Sequence, residues 1–128
     1  MKHNNFNAYL GHEDRLQIAV CDYIRMQYPK CVIHHSPNEG KRSKFERFKL
    51  KSLGASAGFP DLLIVGYGKL LLLELKISEN KALKQKKGKL TDNQSAWLTI
   101  LNDNGIEADV AYGFDEARKV IDKIFKTK

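Results

Sequence analysis

The sequence predicts an α/β fold, a mixed four-stranded sheet flanked by helices, on three observations. Apolar residues recur at helical spacing near the start, in the last third and at the end of the chain. Between them, two short apolar runs flank Gly66-Tyr67-Gly68, the pattern of a hairpin. No internal repeat or linker interrupts the 128 residues, so residues 1–128 are read as one domain with one core.

Each element has its own warrant. Leu16, Ala19, Val20, Tyr23 and Ile24 share a helical face, which predicts a helix from His12 to about Gln27 ended by Pro29. Cys31 to His35 reads as a short strand, and Pro37-Asn38-Glu39-Gly40 as a turn. Lys41 to about Leu53 is expected to be helical and is crowded with Lys41, Arg42, Lys44, Arg47, Lys49 and Lys51. Gly54 to Gly58 is a small-residue loop. Leu62 to Val65 and Leu70 to Ile77 are the hairpin strands, and the second is apolar on both faces, as a central strand covered on both sides would be. The connection carrying Lys81, Lys84, Lys86, Lys87 and Lys89 reads as a mobile surface loop. Thr91-Asp92-Asn93-Gln94 matches a capping box and opens a helix with Trp97, Leu98 and Leu101 inward, stopping at Gly105. Ala108 to Tyr112 forms a fourth strand. Asp115 is expected to cap a last helix with Ala117, Val120, Ile121, Ile124 and Phe125 inward.

A net charge of +7 makes a polyanion the expected partner, nucleic acid ahead of a membrane surface. No apolar run approaches the roughly 20 residues that span a bilayer, and Met1-Lys2-His3-Asn4-Asn5 lacks a signal-peptide core, so the expected location is the cytoplasm. Cys21 and Cys31 form no CxxC pair and read as buried, reduced thiols. His34 and His35 are adjacent on a strand and point to opposite faces, which argues against a shared metal.

The chemistry concentrates in Gly58-Phe59-Pro60-Asp61 and in Glu74-Leu75-Lys76, thirteen residues after the aspartate. A turn centred on Tyr67 and Gly68 makes Asp61 and Glu74 cross-strand neighbours, close enough to share one ion. Strand alternation puts Lys76 on the face of Glu74 and turns Leu73 and Leu75 to the other. Two carboxylates, a carbonyl such as that of Leu75, and waters form a hard oxygen environment suited to Mg²⁺ or Mn²⁺ rather than Zn²⁺. Such a site lowers the pKa of water and neutralises a phosphodiester, with Lys76 orienting the nucleophile or stabilising the transition state. Taken singly, an acid at a strand end marks only the point where the strand meets solvent. The joint spacing is what points to phosphodiester hydrolysis.

These segments resemble the virus-type replication-repair nuclease (VRR-NUC) family of the PD-(D/E)XK nuclease superfamily, whose stand-alone members occur in bacteriophages and bacteria. The resemblance runs from Glu13 to about Ala117 and rests on Glu13-x-x-x-Gln17, Asn38 with Gly40-Lys41-Arg42, Gly58 through Leu62, Glu74-Leu75-Lys76, and Leu90-Thr91 through Gln94 to Leu98, Leu101 and Gly105. It implies a restriction-endonuclease-like core, catalytic Asp61, Glu74 and Lys76, and a metal faced by the Leu75 carbonyl. The family's first-helix acid falls on Glu13, which shares the stripe of Gln17, Val20 and Ile24 while Asp14 points away. By the resemblance Glu13 joins the catalytic and metal-binding set, the metal or a water bound to it being the partner an inward acid needs; an acid stabilising the helix N-terminus is the competing reading. Gln94 reads equally as a helix cap and as the glutamine the family places near the active centre. Arg42 reads as an ion-pair partner of Glu46 or, with Asn38 and Lys41, as a phosphate contact.

The resemblance further implies a Mg²⁺- or Mn²⁺-dependent endodeoxyribonuclease, without a small-molecule cofactor, acting on structured DNA such as four-way junctions. It also implies a homodimer or higher oligomer, because cutting two strands symmetrically needs two sites. Lys44, Lys84, Lys86 and Lys87 are candidate phosphate contacts, although lysine-rich faces are more often simply solvated. The competing class is a catalytically silent DNA-binding module on the same fold. The chain departs from the family pattern at Val110-Ala111-Tyr112-Gly113-Phe114, after which only Arg118 and Lys119 follow where the family carries more arginine.

Overall fold

The computed structural model describes residues 10–36, 43–54 and 57–126. The elements run α1 His12–Gln27, β1 Val32–His35, α2 Lys44–Ser52, β2 Leu62–Gly66, β3 Lys69–Lys76, α3 Asp92–Asp103, β4 Glu107–Tyr112 and α4 Phe114–Phe125. One four-stranded sheet in the order β1-β2-β3-β4 carries them. The first two pairings are antiparallel and β3 runs parallel to β4, with α3 as the crossover, so the sheet is mixed.

The hairpin register follows from its turn. Tyr67 and Gly68 both take positive φ, the turn geometry that matches strand twist, and Leu62 pairs with Leu73. Continued by one residue, that register sets Asp61 beside Glu74. Alternation along β3 then divides the core in two. Leu71, Leu73 and Leu75 pack with Val20 and Ile24 of α1 and with Ala117, Ile121 and Phe125 of α4. Leu72, on the opposite face, packs with Leu101 and Ala108, against which Phe59, Trp97 and Leu98 rest. The strand is buried on both faces, as its unbroken apolar run predicts.

Several local expectations change. Cys21, not Ala19, completes the buried stripe of α1, and Cys31 is only half-buried; both cysteines are free thiols, with burial raising their pKa values. The basic helix starts at Lys44, capped by the Ser43 hydroxyl accepting from Glu46 N at 3.1 Å. Asp115 does not cap α4. Gly113, at φ +91°, precedes the helix, and its N–H donates to Lys76 O at 2.8 Å, so the chain turns directly from β4 into α4 and leaves Asp115 in the first turn. The lysine-rich connection is tethered rather than loose: Asn80 and Gln85 exchange backbone hydrogen bonds of 2.9 and 2.8 Å, and the Gln85 amide donates to Ser78 O. None of the helices described is long and apolar enough to cross a membrane.

Candidate active site

Asp61 is fixed by its own backbone before its side chain is considered. Its carbonyl accepts from Ser36 N at 2.8 Å and lies 3.3 Å from His35 Nδ1, tying the start of β2 to the end of β1. Pro60 before it is buried. Gly58 takes φ +84° and lies so close to α3 that a Cβ would come within 2.8 Å of Asn93 and of Gln94 N. Trp97 Nε1 donates to Ala57 O at 3.1 Å and stacks edge-on against Phe59 at 5.2 Å. The Gly-Phe-Pro-Asp segment is therefore clamped between β1 and the first turn of α3.

Glu74 reaches the same place from β3 and is 3% exposed, the one buried charged residue among those described. Its Oε2 accepts from Gln94 Nε2 at 3.3 Å, while Oε1 is buried with no hydrogen-bond partner. With both acids ionised, Asp61 has no hydrogen to offer that oxygen. Burial, then the shared hydrogen bond and the charge of Asp61, push the Glu74 carboxyl up to about 8, with Lys76 pulling the other way. Asp61 Oδ2 also accepts a long, 3.5 Å hydrogen bond from Leu75 N. The pair therefore holds a proton at neutral pH, in the place a cation would take.

Gln94 closes the capping box and also reaches Glu74. Its backbone N–H donates to Thr91 Oγ1 at 3.1 Å and its Oε1 accepts from the Thr91 backbone N–H at 2.9 Å, the reciprocal capping box. Because Oε1 is committed to that N–H, the amide nitrogen is the atom directed at Glu74.

A cleft of about 260 Å³ opens over these groups, lined by Glu13, Leu16, Asp61, Glu74, Lys76, Lys89 and Gln94 among others. It brings together all five side chains that the sequence singles out for chemistry, with the Leu75 backbone beside them. Lys89 is a cation that sequence reading places only in the loop; its signal was its position just before the capping box, where the chain must return to Glu74. A larger hollow of about 530 Å³ lies at the other end of β3, around Lys69, Leu70 and Ile124, and contains no acid pair.

The donor set fits a hard divalent cation. Asp61 and Glu74 offer paired oxygens, one of them an orphan that a cation would satisfy, and the Leu75 carbonyl stands next in the chain. Among the described residues no three acidic, histidine or cysteine side chains converge, so Glu13 faces the cleft without completing a three-carboxylate group. Asn38, Lys41 and Arg42, and with them the Arg42–Glu46 pair, lie outside the described residues. Lys44, Lys84 and Lys86 are exposed away from the cleft lining, and Lys87 lies over the Tyr112 ring at 4.3 Å.

The VRR-NUC domain model matches residues 6–115, most of the chain. The chain belongs to the VRR-NUC family. A solved structure described as a VRR-NUC domain protein is similar at 28% identity and TM-score 0.70, covering 91% of this chain and 90% of its own. A second, described as a VRR-NUC domain, shares the fold at 20% identity and TM-score 0.54, covering 86% and 94%. No curated protein matches. Membership gives this VRR-NUC chain a nuclease-type function with DNA as substrate; the departing segment Val110 to Phe114 lies inside the family match, and only Arg118 and Lys119 lie beyond its end.

Proposed function

We propose that the protein is a Mg²⁺- or Mn²⁺-dependent DNA endonuclease whose reacting centre is the Asp61–Glu74–Lys76 cleft. The observation that carries this reading is the buried Glu74 carboxylate, with one oxygen unpartnered beside a second acid, in a cleft open to substrate. A native fold retains such an unsatisfied group where binding needs it. A divalent cation held by Asp61, Glu74 and the Leu75 carbonyl would supply charge neutralisation at the scissile phosphate and a lowered pKa for water.

The chain's own residues do the rest. Gln94 fixes the Glu74 carboxylate through Oε2 and leaves Oε1 unpartnered. Lys76, on the same face, holds the attacking water or stabilises the phosphorane charge. Glu13, across the cleft, accepts a hydrogen bond from water and so orders the approach to phosphorus. As the new bond to phosphorus forms, the bond to the leaving sugar oxygen breaks, and that oxygen takes a proton. Lys89 is the second cation available to the phosphate. The basic loop residues Lys84, Lys86 and Lys87, and Lys44 on α2, contact flanking phosphates. Branched DNA such as a four-way junction, cut by a homodimer, is the substrate and assembly that two symmetric incisions require.

Purified protein incubated with duplex, flap, single-stranded and four-way-junction DNA, with and without Mg²⁺ or Mn²⁺, tests the reading. Metal-dependent cleavage is expected, and Asp61→Ala and Glu74→Ala should abolish it while the fold persists. Full activity in either folded variant removes these acids from the reaction. Salt-sensitive binding with no cleavage in either metal would establish the silent DNA-binding module instead.

A further inference from the structure

The connection between β1 and β2 leaves the sheet at Ser36 and returns at Asp61, and its two ends are joined by the 2.8 Å hydrogen bond between Ser36 N and Asp61 O. On it stands α2, none of whose described side chains is buried. Phe45 is 76% exposed and Phe48 69%. Scattered exposed apolar residues are ordinary, but two aromatic rings one turn apart form a stripe. At about 100° per residue, Phe45 and Phe48 stand roughly 60° apart, with Lys44 and Lys51 along one edge, Lys49 along the other and Glu46 on the far side.

The charge decides what covers this stripe. A second copy of the chain would set lysine against lysine on both edges, which like-charge repulsion disfavours. A polyanion meets the same lysines favourably, and the rings between them offer flat faces for nucleobases. Inside a continuous duplex both faces of a base are already stacked on neighbours, so the bases available to these rings are unpaired ones. We infer that α2 is a stacking platform for unpaired bases of the DNA substrate, with Phe45 and Phe48 taking the bases and Lys44, Lys49 and Lys51 the phosphates. The inference rests on the nuclease reading and specifies its substrate: branched DNA that exposes unpaired bases near the cut, met by α2 on the connection that returns at Asp61.

Binding without divalent metal separates this claim from the chemistry. Fluorescence anisotropy would compare a continuous duplex with the same duplex bearing a single-stranded arm. The variants are F45A/F48A, F45L/F48L and F45W/F48W, all expected to melt like the parent because the rings are exposed. The Ala and Leu pairs should bind the armed DNA roughly tenfold more weakly or worse and the duplex within about twofold, and the Trp pair should keep the preference. Equal or absent losses on the two DNAs would overturn the inference, as would a Leu pair that binds like the parent. Loss of an oligomer in the Ala pair, with both DNAs affected alike, would assign the stripe to a second copy and overturn it too. A protein that prefers armed DNA yet never cuts would refute the nuclease reading and leave the role of α2 intact; one that cuts without the preference would do the reverse.

Discussion

Asp122 on α4 accepts hydrogen bonds from two phenols, Tyr23 at 2.6 Å and Tyr28 at 2.7 Å, whereas Glu74 on β3 has one amide donor at 3.3 Å and one oxygen with no partner. Both phenols are packed by aromatic rings: Tyr23 edge-on against Phe114 at 5.8 Å and Tyr28 tilted against Phe125 at 6.0 Å. Burial and the bonds to Asp122 keep both phenols protonated, raising the pKa of each. An acid given its donors from within the fold closes the α1–α4 interface. An acid denied them weakens the free protein and is available to something from outside.

The largest effects should come from exchanging those roles. Glu74→Gln supplies a neutral amide that can donate to Asp61, so the variant should melt higher than the parent in metal-free buffer while losing at least about a hundredfold in cleavage. Asp122→Ala strands two phenols and should lower stability by about 1–3 kcal/mol with cleavage unchanged at temperatures where it is folded. Calorimetry and a single-turnover cleavage assay on both proteins check the pair. A folded Asp122→Ala that cannot cut would show that the two acids are not separate in function.

The next effect is a difference in pH window. The Glu74 pKa is raised from 4.5 to about 8, so the folded chain keeps a proton that the unfolded chain releases. Its contribution is full below about 4.5 and is lost as pH rises through about 8, so metal-free stability should fall across that interval. Glu74→Gln should flatten the slope, and Mg²⁺ should stabilise the parent most at the alkaline end, where a cation replaces the missing proton. The tyrosine pair has the same sign but a higher window: its contribution is lost only above the ordinary phenol value of 10. Melting temperatures of parent and Glu74→Gln from pH 5 to 9 read this directly, and parallel curves would refute the role given to Glu74.

The acid pair was legible in the sequence because its geometry is local. Tyr67 and Gly68 fix the hairpin register, alternation fixes the face of Glu74 and Lys76, and Thr91 announces the cap that delivers Gln94. The failures are non-local. Nothing near Asp115 reveals that Gly113 is already bonded to Lys76 across the sheet, and the periodicity of α2 cannot say that Phe45 and Phe48 stay exposed. Composition marks Lys81 to Lys89 as a charged loop, but the tether depends on Asn80 and Gln85, which carry no charge. Lys89 lines the acid cleft beyond that tether, and its place just before the Thr91 cap is the sequence signal for it.

Gln94 lies between the two classes of residue, since one end of its amide holds the helix and the other holds Glu74. Gln94→Ala removes both, and should cost about 1 kcal/mol as a lost cap as well as part of the activity. Gln94→Glu keeps an oxygen for Thr91 N but deletes the N–H directed at Glu74 and sets a third carboxylate beside the pair. It should therefore stay near the parent in stability at neutral pH in Mg²⁺, yet cut at least about tenfold more slowly. A Glu variant as active as the parent would reduce Gln94 to its cap.

The smallest effects separate lysines that sequence treats alike. Lys86 is an exposed charge, so Lys86→Ala should weaken DNA binding and reduce the salt slope by about one counterion without touching the chemistry. Lys87 sits over Tyr112, which pairs with Lys76 across the parallel β3–β4 ladder, and Gly88 beside it donates to Ile77 O at 2.8 Å. Lys87→Ala should give the same change in salt slope and, by releasing a cation–π contact of about 0.5–1 kcal/mol, loosen the loop that lies against the cleft. A lowered kcat in Lys87→Ala, measured at saturating DNA and absent from Lys86→Ala, is the expected signature. Identical behaviour in both measurements would make the loop a set of interchangeable charges, and the boundary between the structural and reactive regions would then lie at Lys89.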